Sequence, residues 1–575
     1  MPAAALGARE RDEAFTVSWE APKDLRDLFV KFIEPPHAGE DDRLGDLRRT
    51  WVNDVKKRVP DIAASEGYFS AKATVQFDES RDHATVRVDP GPRTVVSEIE
   101  IDFEGDLAGE GEERERRRTR IRSGFAMKPG DAFRSADWEG AKTRLEQALT
   151  DRDYAAGTLS LSRAEVDEAS AKAKLKLVLS SGPPFTFGEV SVTGLERYPE
   201  RIVWRLVNIK PGERYNRERL EQMQRLVQQG PWFSSVVAEI DPNPDKPLLA
   251  PVKITVVERA ARDAGVSFGY GTDDGIRAET TYRDRDFLGR ALDLQSSIQA
   301  SQKQQTGYAD VYLPPGIYSG LVFDGIPFKD SVGVLAEHSI LENNNFTRLA
   351  VAGYRHWYLE KFELQAGLSY QVEKQYPTGS DVNYTRALAP VVTITWRHVD
   401  SLFDPHRGGV LNLQFAAASK GLGSTQDFVK AYLQYQYWIP LGKMDQLLLR
   451  AELGRTFADS REGIPDDFLF RAGGSRSNRG YAYQSLGVQQ GDAIVGGRYL
   501  ETGTVEYVHW LNDTWGAAAF MDVGTAADSQ QNLDALKSYG IGARYKTPAG
   551  PFALDVAYAD RDKKFRLSFS VSIAF

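Results

Sequence analysis

The C-terminal nine residues constrain the fold more than any other stretch. Leu567, Phe569, Val571, Ile573 and Phe575 alternate with Ser568, Ser570, Ser572 and Ala574. A period of two puts all five apolar side chains on one face of an extended strand. The chain holds no run of 18 apolar residues, so a transmembrane helix is excluded. Its negative mean hydropathy does not exclude a membrane β-barrel. Barrel strands alternate apolar with polar residues and average to a polar composition. A soluble β-sandwich is the rival reading of the pattern.

The alternating texture begins near Ala264. Short runs such as Leu411–Phe415, Tyr432–Trp438 and Leu447–Leu453 are separated by Gly, Asp, Asn and Pro clusters. At roughly 20 residues per strand and loop, the remaining length predicts about 16 antiparallel strands. The 50 glycines, 28 phenylalanines, 24 tyrosines and 10 tryptophans suit strands, tight turns and interfacial girdles.

The N-terminal half repeats instead. Lys128-Pro129-Gly130-Asp131-Ala132-Phe133 and Lys210-Pro211-Gly212-Glu213-Arg214-Tyr215 share one signature. Each leads to an expected helix N-cap, Ser135 or Asn216, and then to a helical pattern. Leu145 and Leu149 share a face in the first helix; Leu220, Met223 and Val227 do so in the second, with Leu226 flanking. A related unit precedes both, with a helix over Trp51 to Ala64 that Pro60 is expected to kink or interrupt. Strands at Ala84–Val88 and Leu175–Leu179 close the first two units, and Val95–Phe103 and Phe185–Val192 open the next ones. Three α+β units of order βααββ form a tandem array, an architecture that binds more often than it catalyses. The Glu110–Arg122 charge run reads as a solvated loop or helix face, with a docking patch as the alternative.

Cysteine is absent, which rules out a disulfide scaffold and thiolate metal sites. The net charge of −9 argues against a nucleic-acid partner. Ala3 to Leu6 is too short for the hydrophobic region of a signal peptide, so residues 1–13 are expected to be a leader remnant.

The repeats resemble the polypeptide-transport-associated (POTRA) domain. The third unit fits best, with Gly194, Gly212, Tyr215 and Gly230-Pro231-Trp232-Phe233 before a strand holding Val236 and Val237. The resemblance implies POTRA domains at 14–91, 92–183 and 184–260, followed by a transmembrane β-barrel over 261–575.

The stretch Phe468 to Gly487 contains Gly473-Gly474 and Arg479-Gly480-Tyr481. It lacks the Gly-Lys-Ser/Thr and following helix of a phosphate cradle. The bland reading is a surface loop. The motif resembles the Arg-Gly-aromatic signature of the BamA/TamA superfamily, in which this loop folds back into the barrel. The resemblance implies that Arg479 meets carboxylates on the inner wall, and Glu506 and Asp522 stand at matching positions. Asp286-Phe287-Leu288-Gly289-Arg290, Arg397 to Gly408, Gly540 to Arg544 and Thr547 to Pro551 resemble further family segments in order. Phe575 resembles the terminal recognition signal of outer-membrane proteins. Three arm units are similar to the TamA-type branch, the outer-membrane subunit of the translocation and assembly module. BamA-type insertases carry five, and two-partner secretion transporters two.

That branch implies a Gram-negative outer-membrane location with the POTRA domains in the periplasm. It implies insertion of β-barrel proteins such as autotransporters through a lateral gate, with Val266, Phe268 and Tyr270 on the first strand facing Phe569, Val571 and Ile573 on the last. Glycines 265, 269 and 271 either weaken that first strand or merely relieve crowding. Implied partners are unfolded outer-membrane protein clients, outer-membrane lipid and a TamB-like inner-membrane-anchored protein docking on the first POTRA domain. The rivals are a passive outer-membrane channel, a two-partner secretion transporter and an outer-membrane hydrolase. No Gly-x-Ser-x-Gly elbow occurs, and none of the seven histidines has metal-site spacing on a helix. His398 and His406 beside Asp400 and Asp404 read as a polar turn. No catalytic residue, metal or cofactor is expected.

Overall fold

The computed structural model describes residues 16–35, 44–78, 83–317, 326–359, 361–547 and 551–571. Three times a strand is followed by two helices and two strands. The first unit comprises Thr16–Glu20, Lys23–Phe32, Leu44–Ser65, Lys72–Asp78 and His83–Asp89. The second comprises Val95–Glu104, Glu112–Ser123, Ser135–Thr150, Thr158–Asp167 and Lys172–Ser180, and the third runs from Phe187–Thr193 to Ala250–Glu258. In every unit the last strand is the middle one of a three-stranded sheet. In the first two, the opening strand lies parallel to it and the second strand antiparallel. A parallel neighbour needs a crossover, and the two helices supply it.

Alternation explains the middle strands. Ala173, Leu175, Leu177 and Leu179 are buried against Leu145 and Leu149 of the helix above them. Lys174 and Lys176 point the other way and pair with Glu98 and Glu100 at 3.1 Å each. In the first unit Val55, Val59 and Ala63 pack on Ala84, Val86 and Val88.

The repeated Lys-Pro-Gly-acid signature is a turn. Gly130 and Gly212 have φ of 96° and 87°. The Asp131 and Glu213 amides donate to the Lys128 and Lys210 carbonyls at 3.0 and 3.2 Å. Proline second and a left-handed glycine third is the type II arrangement. The acid then turns back: Asp131 Oδ2 accepts from the Lys128 amide at 2.7 Å and Glu213 Oε2 from the Lys210 amide at 3.3 Å. Phe133 and Tyr215, next in the signature, enter the cores.

Two local expectations are corrected. Ser135 is the first helical residue and not the cap; Arg134 caps without a side-chain bond. The cause is upstream, where the Phe133 amide donates to the Thr94 carbonyl at 2.9 Å and leaves Arg134 extended toward Glu66. Asn216 does cap, its Oδ1 accepting from the Arg219 amide at 3.3 Å. Pro60 does not interrupt its helix, which runs through from Leu44 to Ser65. Burial of Val59 and Ala63 on either side outweighs the hydrogen bond that proline forgoes. The Glu110–Arg122 run is largely a helix, Glu112–Ser123, with only Ile121 buried. Its arginines serve their own domain, Arg118 donating to the Leu107 and Gly109 carbonyls and Arg122 to that of Ile101.

From Arg262 the described residues form one antiparallel sheet of 17 strands. One of these, Gly316–Ile317, is a two-residue piece continuing the Gln304–Tyr312 stave along the same neighbour, Pro327–Leu341. The wall is therefore a nearly closed barrel of sixteen staves. Alternation sorts its two faces. Val332 and Val334 are half exposed on the outer face, whereas Ser331 and Glu337 are buried on the inner one. The chain enters at the end bearing the 288–291 turn, so the loops 272–274, 458–498 and 560–563 lie at the opposite end.

At its entry the barrel meets part of the third POTRA unit. The Trp232 indole, 2% exposed, donates to the Arg285 carbonyl at 2.9 Å. Glu258 closes this corner by accepting from the amides of Glu196, Arg197 and Tyr198. Asp286 to Arg290 lies at the first entry-end hairpin, where Leu288 and Gly289 take φ of 60° and 64°.

Candidate functional site

The 458–498 segment joins the strands Asp445–Phe457 and Tyr499–Trp510 and folds inward. Its glycines permit close contact. A Cβ on Gly480 would lie 2.5 Å from the Ser538 Cβ on the wall. One on Gly473, which has φ of 103°, would lie 2.2 Å from the Ala482 carbonyl oxygen. Tyr481 is buried with Phe470, Leu486, Leu500, Leu536 and Ala559. Asn478 donates to the Leu536 carbonyl at 2.9 Å and accepts from the Ser538 hydroxyl at 2.7 Å.

Arg479 reaches the inner wall. Its Nε and Nη2 donate to the two oxygens of Asp522 at 2.9 and 2.8 Å, a bidentate fork. Its Nη1 donates to Glu506 Oε2 at 2.6 Å and to Asp555 Oδ2 at 3.1 Å. Its backbone amide also donates to Asp522 Oδ2, at 3.0 Å. The Phe520 ring lies under the guanidinium. Arg544 completes the cluster, bonding Glu506 Oε1 through Nε and Nη2 and Asp555 Oδ1 through Nη1. All five charged groups are buried, and none is left single.

Sequence reading places Glu506 and Asp522 at Arg479, and the structure brings these three together. It does not anticipate Asp555, Arg544 or Phe520. The alternation held the signal: Phe520 and Asp522 share a face at i and i+2, and Asp555 and Arg544 are charges on inward positions of adjacent strands. Asp555 stands opposite Gly542, where a Cβ would be 1.9 Å from its Oδ1. A Cβ at Gly540 would be 2.2 Å from the Phe520 Cζ. The Gly540-Ile-Gly542 pattern thus makes room for the cluster.

The seam lies between the strands Arg262–Gly271 and Lys564–Val571, which end the sheet order. The first pairs with its successor from Arg262↔Asp284 to Gly271↔Gly275, and the last with its predecessor from Phe552↔Val571 to Ala559↔Lys564. Among the described residues, these two strands are not neighbours in the sheet order. Near the far end the Phe569 amide donates to Thr272 Oγ1 at 2.7 Å. Val266, Phe268 and Tyr270 point outward and are 67%, 81% and 65% exposed. Ile573 and Phe575 lie outside the described residues. His398 and His406 fall on the hairpin of strands Asn383–Val399 and Gly408–Ala418. There Asp400 accepts from the His406 and Arg407 amides, and Asp404 pairs with Lys546 at 3.0 Å.

With sixteen staves, an inward loop and the buried arginine described, comparison with known proteins decides the family. The Omp85 superfamily domain matches residues 260–575. The chain belongs to the Omp85 superfamily. A POTRA model described as surface antigen variable number repeat matches residues 185–259. Among solved structures, BamA from Haemophilus ducreyi lacking POTRA domains 1–3 is similar, with a TM-score of 0.67 and 15% identity over 83% of this chain and 98% of that one. CdiB from Escherichia coli aligns at a TM-score of 0.45 and 15% identity, over 94% of this chain and 100% of that one. The Omp85 barrel therefore sits in the outer membrane with its POTRA domains in the periplasm, and the chain is an outer-membrane insertion or translocation protein.

Proposed function

We propose that this Omp85 protein inserts β-barrel clients, autotransporters among them, through a lateral gate between its first and last strands, in the manner of the TamA-type branch. The observation that carries the reading is the sheet order, which starts at Arg262–Gly271 and ends at Lys564–Val571 with those two strands unpaired as neighbours among the described residues. An edge strand offers unpaired amides and carbonyls, which an incoming client strand can satisfy by β-augmentation. In lipid such groups are costly to leave bare, so client pairing is favoured. Val266, Phe268 and Tyr270 on one side and Phe569 on the other line the gate.

Arg479 and its carboxylates hold the 458–498 segment within the lumen and stiffen the wall beside the gate. Such an occupied lumen argues against a passive solute channel. POTRA domains at 14–91, 92–183 and 184–260 form the periplasmic arm, and a TamB-like inner-membrane-anchored protein docks on the first of them. A depletion strain tests this reading. Its outer membrane should lose a subset of β-barrel proteins while their precursors accumulate in the periplasm. An unchanged outer-membrane proteome would contradict it.

A further inference from the structure

The inward loop touches both sides of the seam. Ser475 donates to Asp273 Oδ2 twice, from its amide at 3.1 Å and from its hydroxyl at 2.6 Å. Asp273 sits at the tip of the hairpin joining the first two barrel strands. Four residues further along the loop, Arg479 grips Asp522 and Asp555, on strands leading to the other side of the seam. The Gly480 amide donates to Ser538 Oγ at 3.2 Å. Tyr481 lies 5.6 Å from the Arg561 guanidinium, on the hairpin that enters the last strand.

Gly474 shows that the first of these contacts needs a special backbone. It has φ of 97°, and a Cβ there would lie 3.0 Å from Asp273 Oδ1 and 2.9 Å from Tyr483 Cδ2. A side chain would both strain the turn and push the hairpin tip away. Glycine at this position lets the loop backbone come up to the carboxylate.

We infer that the 474–481 segment is a clasp across the seam, with Asp273 as its releasable catch. This rests on the lateral-gate reading and adds how the two sides of the seam are tied together. The Arg479 end is a buried network of several charge-assisted bonds. The catch is one half-buried carboxylate holding a single serine. A two-point tie parts at its weaker point, so the first hairpin swings out with the first strand while the loop stays docked on the later strands. The first strand, carrying Gly265, Gly269 and Gly271, is then the side that opens.

The chain has no cysteine, so one pair tests the catch without background. Full-length protein carrying Asp273→Cys and Ser475→Cys is purified, reconstituted into phospholipid vesicles and oxidised. Insertion of an unfolded β-barrel client is then followed by protease protection. The clasp predicts efficient disulfide formation and a fall in insertion of roughly tenfold or more, restored by reductant. Asp273→Ala, which removes the catch, should keep the folded, heat-modifiable band and insert clients at least as fast as the parent. A parallel pair, Thr272→Cys with Phe569→Cys, locks the seam directly. Absence of the Asp273–Ser475 crosslink, a block that reductant does not lift, or slower insertion by Asp273→Ala would each overturn the clasp. If the seam lock blocks insertion and the clasp lock does not, the clasp is wrong and the gate stands. If neither lock changes insertion, the lateral-gate reading itself fails.

Discussion

The guanidinium carbon of Arg479 lies 3.3 Å from the centre of the Phe520 ring. One face of the cation thus rests on an aromatic ring while its edge is filled by Asp522, Glu506 and Asp555. The two kinds of contact differ in strength, and the difference is measurable. Arg479→Ala leaves Glu506 and Asp555 to Arg544 alone and Asp522 with no arginine, and should cost roughly 3–5 kcal/mol. Phe520→Leu keeps an apolar contact and loses only the ring quadrupole, worth about 2 kcal/mol when desolvated. The temperature at which the compact electrophoretic band converts to the unfolded one should fall for both variants, and further for Arg479→Ala. Equal or reversed shifts would contradict the ranking.

Gly542 is expected to be intolerant of alanine. The added Cβ would meet Asp555 Oδ1 at 1.9 Å and Arg544 Nη1 at 2.7 Å, inside a filled network. Overpacking of this kind costs about 1–3 kcal/mol. Gly307→Ala is the control, because its nearest neighbour would be the Ser297 carbonyl oxygen at 4.0 Å. Gly542→Ala should lower heat resistance of the folded barrel and Gly307→Ala should not. A neutral Gly542→Ala would mean that the wall relaxes where packing says it cannot.

Much of this was legible in the sequence because it depends on periodicity. Alternation from Leu567 onward and from Leu447 to Leu453 reports a wall with unlike faces, whatever the loops do. The Lys-Pro-Gly-acid repeat was legible as a signature, and the turn geometry gives its cause. The Arg479 partners were only half legible. Glu506 and Asp522 follow from a resemblance, but Arg544 and Asp555 meet across strands 11 positions apart in sequence, in a register that alternation alone leaves open. The Asp273–Ser475 contact spans 202 positions and leaves no local pattern. Ser135 reads as a cap in the sequence but lies inside the helix, because capping depends on how the chain arrives, and Phe133 fixes that arrival.

The POTRA arm should fold without a membrane. Cores such as Leu175, Leu177 and Leu179 against Leu145 and Leu149 close within one unit. A fragment spanning 14–260 is expected to be soluble, with a mixed α/β circular dichroism spectrum. An insoluble, purely β product would contradict the tandem-array organisation.

Within that fragment Asp106 sets a pH signature. Its carboxylate accepts from Arg114 at 2.7 Å and from the Tyr154 hydroxyl at 2.9 Å. The Arg114 bond first, and the Tyr154 bond to a lesser extent, hold Asp106 below the usual carboxylate range despite partial burial. Burial, then the same carboxylate, pushes the Tyr154 phenol up, so the hydroxyl stays a donor. A depressed folded value means that the Asp106 contribution is present at neutral pH. It is lost as pH falls from the unfolded value of about 3.9 through the folded one. Asp106→Asn should therefore lower urea resistance at pH 7, and the gap to the parent should close in acid below about pH 4. A gap that stays constant down to pH 2 would assign the loss to packing and not to the charge.

The lateral gate is the central claim, and a covalent lock tests it most directly. With no native cysteine, pairs placed between Val266–Tyr270 and Ser568–Ser570 report only on the seam. Bridging needs Cβ atoms within about 4.5 Å, so a short register scan finds the competent pair. The measurement is client assembly in cells producing only the locked protein, before and after reductant. The account predicts full crosslinking, failure of client barrels to assemble, and recovery once the disulfide is reduced. A fully crosslinked protein that assembles its clients normally would contradict it.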